Sequence, residues 1–150
     1  MPDSIDAFAE QFLRDYEKLH ILVNNAGIMA PPLERDKRGY ESQFAVNHLG
    51  HFQLTCRFWP ALVAAEGARV VALSSYGHRR AGIDFQDLNF ERREYDPWTA
   101  YGKSKTANAL FAVTLDSLGR RQGVRAFSVH PGGIMTGLIR HNVADPDRRE

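Results

Sequence analysis

The segment His20-Ile21-Leu22-Val23-Asn24-Asn25-Ala26-Gly27 sets the architecture of this chain. A short continuous apolar run that ends in small and polar residues reads as a strand of a covered parallel sheet. Two further segments repeat the pattern. Ala68 to Ser75 (Ala-Arg-Val-Val-Ala-Leu-Ser-Ser) is a second such run, and Val124 to His130 is a third, closing on Pro131-Gly132-Gly133.

A helical pattern precedes each run. Behind an Asp3-Ser4 N-cap, Ile5, Phe8, Ala9, Phe12, Leu13 and Tyr16 recur at helical spacing. A second helix is predicted from about Tyr40 to Ala65, weakened locally by Gly50 and bent at Pro60. A third is predicted from Thr99 to Arg121, stopping at Gln122-Gly123. The order helix-strand, three times over, predicts right-handed parallel crossovers and an α/β fold, a Rossmann-like doubly wound parallel sheet. Ligands of such sheets lie outside the carboxyl ends of the strands, where all three runs here end in small or polar residues. Residues 76–98 form a long charged connection containing Gly77, Gly82 and Pro97, a length that reads as a lid or binding loop.

Composition narrows the function. Of 150 residues, 43% are apolar and 25% charged, as in an ordinary globular protein that buries a core. The net charge of +1 gives no electrostatic footprint for nucleic acid or an anionic membrane. The one cysteine, Cys56, cannot form an internal disulfide, and it reads as a small buried apolar residue. No apolar run approaches the roughly 20 residues that span a bilayer. Asp3, Asp6 and Glu10 stand where a secretory signal would be apolar, so a cytoplasmic protein is expected. His48 and His51 are three apart, but no acid or cysteine completes a ligand set, and no metal is expected.

The chemistry begins with Tyr101-Gly102-Lys103-Ser104-Lys105, which puts Tyr101 and Lys105 on one helix face. A tyrosine with a pKa of about 10 is a poor base at neutral pH, and a nearby ammonium lowers it by ~1–3 units. The pair alone is common in chains of this length, most often as two surface residues. It gains meaning from its company. Ser75 closes the second run, where a hydroxyl can bond a substrate oxygen. Asn47 sits inside a helix, where asparagine is not favoured. Asn24-Asn25-Ala26-Gly27 and Pro131-Gly132-Gly133-Ile134-Met135-Thr136 read singly as a turn and a loop-to-helix entry, but both fall at the sheet's ligand-binding rim.

Together these features resemble the short-chain dehydrogenase/reductase family over essentially the whole chain. His48-Leu49-Gly50-His51-Phe52 and Asp87-Leu88-Asn89-Phe90 resemble its retinol-dehydrogenase-like branch. The resemblance implies an NAD- or NADP-dependent oxidoreductase acting on a small alcohol or carbonyl with an apolar body. It implies Tyr101 as general acid/base, and Lys105 lowering its pKa and holding the nicotinamide ribose. Ser75, rather than Ser74, would orient the substrate oxygen, and Asn47 would support a water in a proton relay towards Lys105. Asn25, Ala26 and Gly27 would line the cofactor groove, with Pro131, Gly132 and Thr136 at the nicotinamide end. Pairing of copies through the long helices is implied by the same analogy.

One departure stands out. No G-x-x-x-G-x-G or G-x-G-x-x-G occurs, and the family's phosphate turn and first βαβ units would precede Met1. Its last helix and strand are also missing, so the expected sheet is incomplete and NAD is not distinguished from NADP. The strand at His20 is then expected as a hydrophobic edge. The alternative of another class is a non-catalytic fragment that pairs with a longer relative. An epimerase-like enzyme shares Tyr-x-x-x-Lys but not the Asn-Asn-Ala-Gly and Pro-Gly motifs.

Overall fold

The computed structural model describes residues 2–133 and Leu138. Its elements are α1 (Pro2–Asp15), β1 (Ile21–Asn24), α2 (Ser42–Phe44), a π-helical turn (Ala45–Leu49), α3 (Gly50–Ala64) and β2 (Arg69–Leu73). There follow a 3-10 turn (Tyr76–Arg79), α4 (Pro97–Gly119), a second 3-10 turn (Arg120–Gln122) and β3 (Arg125–Val129). The strands form a parallel sheet in the order β1-β2-β3, as the alternating pattern predicts.

Register decides which side of the sheet is buried. Leu22, Val70 and Ala126 are aligned across the three strands. They join Ala9 of α1 and Phe58 and Leu62 of α3 in one core, against which Phe12 and Leu115 of α4 also pack. Removing each large apolar side chain from water contributes roughly 1.5–3 kcal/mol, so this layer holds the helices on the sheet. The other face carries Ile21, Val23, Phe127 and Val129, all exposed. Among the described residues the helices thus cover one face of the sheet, and β1 and β3 are its edges. None of the described helices is long and apolar enough to cross a membrane.

Local chemistry sets the helix ends. α4 begins two residues before the predicted Thr99, because Asp96 accepts the Thr99 backbone N–H at 2.6 Å and Pro97 opens the first turn. Glu41 caps α2 in the same way, accepting from the Gln43 and Phe44 backbone N–H groups at 2.8 and 2.9 Å. Pro60 lies within α3 and does not end it.

Two expectations need correction. Cys56 is exposed, because α3 turns that side chain away from the sheet. Partial desolvation still raises its thiol pKa, which argues against a nucleophile. The long connection after β2 is also no free lid, because exposed and part-buried hydrogen bonds to residues 35, 41 and 103 hold it down. Arg35 donates to the carbonyls of Asn89 and Phe90, Asn89 Oδ1 accepts the Glu41 N–H, and Lys103 Nζ donates to the Leu88 carbonyl. Phe90 is buried at a φ of 55°, a left-handed strain that these contacts must offset.

Candidate active site

The carboxyl ends of the strands open onto a cavity of about 360 Å³, lined among others by Asn25, Gly27, Ser75, Tyr101, Lys105, Pro131 and Gly132. A second cavity, about 470 Å³, is lined by Met29, Ser75, Tyr76, Gly77, Arg79, Arg80, Trp98 and Tyr101. Ser75, Tyr101 and Met29 belong to both and form the partition between them. Gly77 makes the close packing possible, since a Cβ there would lie 3.0 Å from two ring carbons of Tyr101.

Tyr101 is 6% exposed. Burial raises its phenol pKa, while a hydrogen bond from Ser75 works in the opposite direction. The net shift is upward, because desolvation of the phenolate is the largest effect. Lys105 Nζ lies 5.4 Å from the Tyr101 ring centroid and donates to the Leu73 carbonyl at 3.1 Å. Its own burial brings its pKa down to about 8.

The two serines divide sharply. Ser74 Oγ donates to the Lys105 carbonyl at 2.9 Å, tying the end of β2 to α4. Ser75 Oγ accepts the Gly77 N–H at 3.1 Å and faces both cavities. Asn47 is fully buried in the π-helical turn, and its side chain is a clamp. Its Oδ1 accepts the Ile28 N–H at 2.9 Å, and its Nδ2 donates to the Ile28 carbonyl and to Ser104 Oγ, both at 3.0 Å. Only its carbonyl, which accepts from Asn108 Nδ2 at 2.9 Å, remains to serve the interior beside Lys105. Asn108 Nδ2 also donates to the Leu73 carbonyl that Lys105 uses.

The remaining residues are mixed. Asn25 and Gly27 line the first cavity but Ala26 does not. Pro131 and Gly132 line it, while Thr136 lies outside the described residues. The sequence reading missed Met29 in the partition, Ser104 behind Asn47 and His130 in the first cavity's wall. His130 stands one residue before the Pro-Gly motif and was open to discovery. Met29 and Ser104 carry no local signal. No group of three or more His, Cys, Asp or Glu among the described residues is placed to hold a metal ion.

Two buried lysines, the buried Tyr101 and the half-buried Tyr95 shape the alkaline pH response of stability. Burial brings Lys103 down to about 8 and Lys105 likewise, so between about pH 8 and 10.5 the unfolded chain binds more protons and stability rises with pH. Burial raises Tyr101, and Tyr95 to about 12, so above about pH 10 the folded state binds more protons and stability falls. The melting temperature is expected to climb from pH 7.5 and peak near pH 10. A steady decline over that range, measured by thermal denaturation, would contradict the buried lysines.

The residues around the first cavity suit a nicotinamide-ribose unit. Gly132 and Gly133 leave open space where a Cβ would sit, and the Tyr101 hydroxyl and Lys105 ammonium offer polar partners. The enoyl-(acyl carrier protein) reductase family model matches residues 1–150. Retinol dehydrogenase 12 of Mus musculus is 46% identical over 139 residues, covering 93% of this chain and 44% of that protein. Retinol dehydrogenase 13 of Homo sapiens is 42% identical over 138 residues, 92% of this chain and 42% of its own length. The chain thus spans about half the length of the curated relatives it matches. An uncharacterized protein from Mycobacterium paratuberculosis superposes with a TM-score of 0.80 at 39% identity, covering 94% of this chain and 50% of that one. A Brucella ovis short-chain dehydrogenase/reductase in complex with a partially ordered NAD superposes at 0.62 with 25% identity, covering 95% and 63%.

Proposed function

Because the chain belongs to the short-chain dehydrogenase/reductase family, we propose that it interconverts an alcohol and a carbonyl with NAD or NADP, through residues 1–150 acting as one Rossmann-type NAD(P)-binding unit. One observation carries this reading: Tyr101 and Ser75 form the partition between two cavities, with Lys105 behind them in the first. A nicotinamide on one side and a substrate on the other would meet at the same phenol.

A bound nicotinamide would supply or take the hydride. In reduction the Tyr101 hydroxyl gives its proton to the substrate oxygen, and in oxidation the phenolate takes it back. Ser75 Oγ donates a hydrogen bond to that same oxygen. Lys105 restores the Tyr101 proton and would hold the ribose hydroxyls of the cofactor. Asn47 would hold the relay's water with its carbonyl, since its side chain is committed to Ile28 and Ser104. Asn25, Ala26, Gly27, Pro131, Gly132 and Thr136 would complete the cofactor groove. Met29, Tyr76 and Trp98 in the second cavity support a substrate with an apolar body.

The serines offer a clean contrast. Ser75→Ala is expected to lower turnover about 10²-fold by removing the donor to the developing charge. Ser74→Ala is expected to lower stability by about 1 kcal/mol and to change turnover by less than threefold. Chemical denaturation and steady-state rates on both variants read the difference, and equal rate losses would remove the assignment to Ser75.

The reading extends to a cytoplasmic location, supported by the single cysteine, and to pairing of copies. The apolar groove between α3 and α4, lined by Phe52, Trp59, Phe111 and Leu118, supports the latter. A second reading is favoured by the bare sheet face of Ile21, Val23, Phe127 and Val129: a non-catalytic chain that associates with another polypeptide. Fluorescence titration with NADH and NADPH, followed by turnover of octanal, separates the two. Saturable binding with turnover establishes the enzyme. A folded chain that binds neither nucleotide leaves the second reading standing.

A further inference from the structure

Behind Lys105 lies a group of buried polar atoms that the proposed chemistry does not use. His51 is 7% exposed, and neither of its ring nitrogens has a hydrogen-bond partner among the described residues. Asn24 Oδ1 is buried and unpartnered as well. Thr55 joins the two residues, because Asn24 Nδ2 donates to Thr55 Oγ1 at 3.0 Å and Thr55 Oγ1 donates to the His51 carbonyl at 2.8 Å. The elements around the ring bring little that could satisfy it. The Asn47 carbonyl of the π-helical turn and the Ala26 carbonyl after β1 lie close enough to favour a protonated ring, but neither meets it with hydrogen-bond geometry. The titratable groups that act on it are Lys105 from α4 and His48 from the π-helical turn, and both oppose a positive charge.

Each of these three unpaired buried polar atoms, on residues joined through Thr55, would cost about 1–3 kcal/mol. Ordered water commonly bonds two to four such atoms at once. On the other side, Lys105 Nζ shares the Leu73 carbonyl with Asn108, whose amide also holds the Asn47 carbonyl one helical turn from His51. The chain of polar groups from Tyr101 therefore continues inward past Lys105.

We propose that His51 and Asn24 hold water at the inner end of a proton path that runs through Lys105 to Tyr101, and that His51 is a positioning residue acting on Tyr101 through Lys105. The proposal rests on the acid/base reading of Tyr101. In reduction the phenol loses one proton to the alkoxide, the Lys105 ammonium returns one to the phenolate, and the water returns one to the amine. The imidazole N–H reprotonates that water while the second ring nitrogen takes a proton originating in solvent. One proton enters per carbonyl reduced, and a flip of the ring from its other neutral tautomer restores the starting arrangement before the next turnover. Burial, reinforced by the charge of Lys105, holds the His51 pKa at about 4, so the ring is neutral at pH 7 and free to alternate between tautomers.

Nitrogen NMR of histidine-labelled protein tests the proposed water chamber beside His51 and Asn24 without turnover. The wild-type ring is expected to stay neutral from pH 8 to 5 and to exchange with bound water, and Lys105→Met to raise its pKa. A His51 that titrates near 6.5, or one without a water signal, overturns the chamber. Kinetics with NADPH and octanal test the path. His51→Gln keeps a donor and an acceptor but cannot pass a proton by tautomer exchange. It is expected to lower kcat about 10-fold with KM within twofold, and to enlarge the solvent deuterium isotope effect on kcat. An unchanged kcat and isotope effect in folded His51→Gln overturns the path. Tyr101→Phe runs in parallel: full turnover there, or none by the wild type, removes the acid/base reading and the path with it, while the NMR result still decides the chamber.

Discussion

Tyr101→Phe is expected to lower kcat/KM about 10³-fold while leaving the fold intact. General acid-base groups contribute typically 10²–10⁴-fold, and this phenol stands where both cavities meet. The substitution removes one hydroxyl and keeps the ring that packs against Gly77, so stability should change by less than about 1 kcal/mol. Nicotinamide binding should stay within a few-fold, because Lys105 and the glycines at 132 and 133 remain. The raised phenol pKa adds a direction. Tyr101 stays protonated through neutral pH, so carbonyl reduction should be nearly level from pH 6 to 8, whereas alcohol oxidation should climb with pH as the phenolate becomes available. Steady-state rates in both directions, with denaturation curves for each protein, provide the check. A Tyr101→Phe variant retaining more than a tenth of wild-type kcat/KM would take the proton from some other group.

The second large effect concerns stability. Glu41 and Lys103 are both 0% exposed, with Nζ 3.9 Å from Oε2. Glu41 also caps α2 and accepts from the Tyr95 hydroxyl, while Lys103 Nζ donates to the Leu88 carbonyl and lies over the Phe44 and Phe90 rings. Removing one partner of a buried pair strands the other charge, typically at 3–5 kcal/mol, and the lost cap adds about 1. Glu41→Ala is therefore expected to destabilise by about 4 kcal/mol. Lys103→Met should cost less, about 2 kcal/mol, since two backbone N–H groups and Tyr95 still satisfy the carboxylate. The double variant Glu41→Gln/Lys103→Met should recover much of the loss. Urea denaturation of the cycle measures the coupling, and a value below about 0.5 kcal/mol would make the pair a bystander. Activity should fall with stability in Glu41→Ala, because α2 carries Gln43, which holds the Ala30 N–H, and leads into the turn of Asn47.

Much of the fold was legible because its signals are local. Apolar runs of strand length, helical spacing and the small residues at strand ends are read within a window of a few residues. The three strands and three long helices accordingly stand where the pattern put them. The errors also have local causes. The helical spacing predicts a start of α4 at Thr99, whereas the Asp96 cap and Pro97 start the helix two residues earlier. Its residue type predicts a buried Cys56, but the face it occupies on α3 is set by how that helix lies on the sheet.

The candidate site divides along the same line. Sequence spacing was enough to put Tyr101 and Lys105 on one helix face and to bring Ser75 and the Pro131-Gly132 turn to the same rim, because parallel strands place their carboxyl ends together. It could not separate what Asn47 does with its side chain from what it does with its carbonyl. That depends on Ile28 and on Ser104, which is 57 positions away. Nor could spacing show that desolvation raises the Tyr101 phenol pKa, that Ser74 bonds α4 while Ser75 faces the cavities, or that the His51 ring nitrogens and Asn24 Oδ1 are buried without partners among the described residues. Periodicity and capping are properties of neighbouring residues, and the sequence determines them directly. Burial, and the partners that a buried polar atom finds or lacks, arise only when remote segments exclude water between them, and that the tertiary structure alone decided.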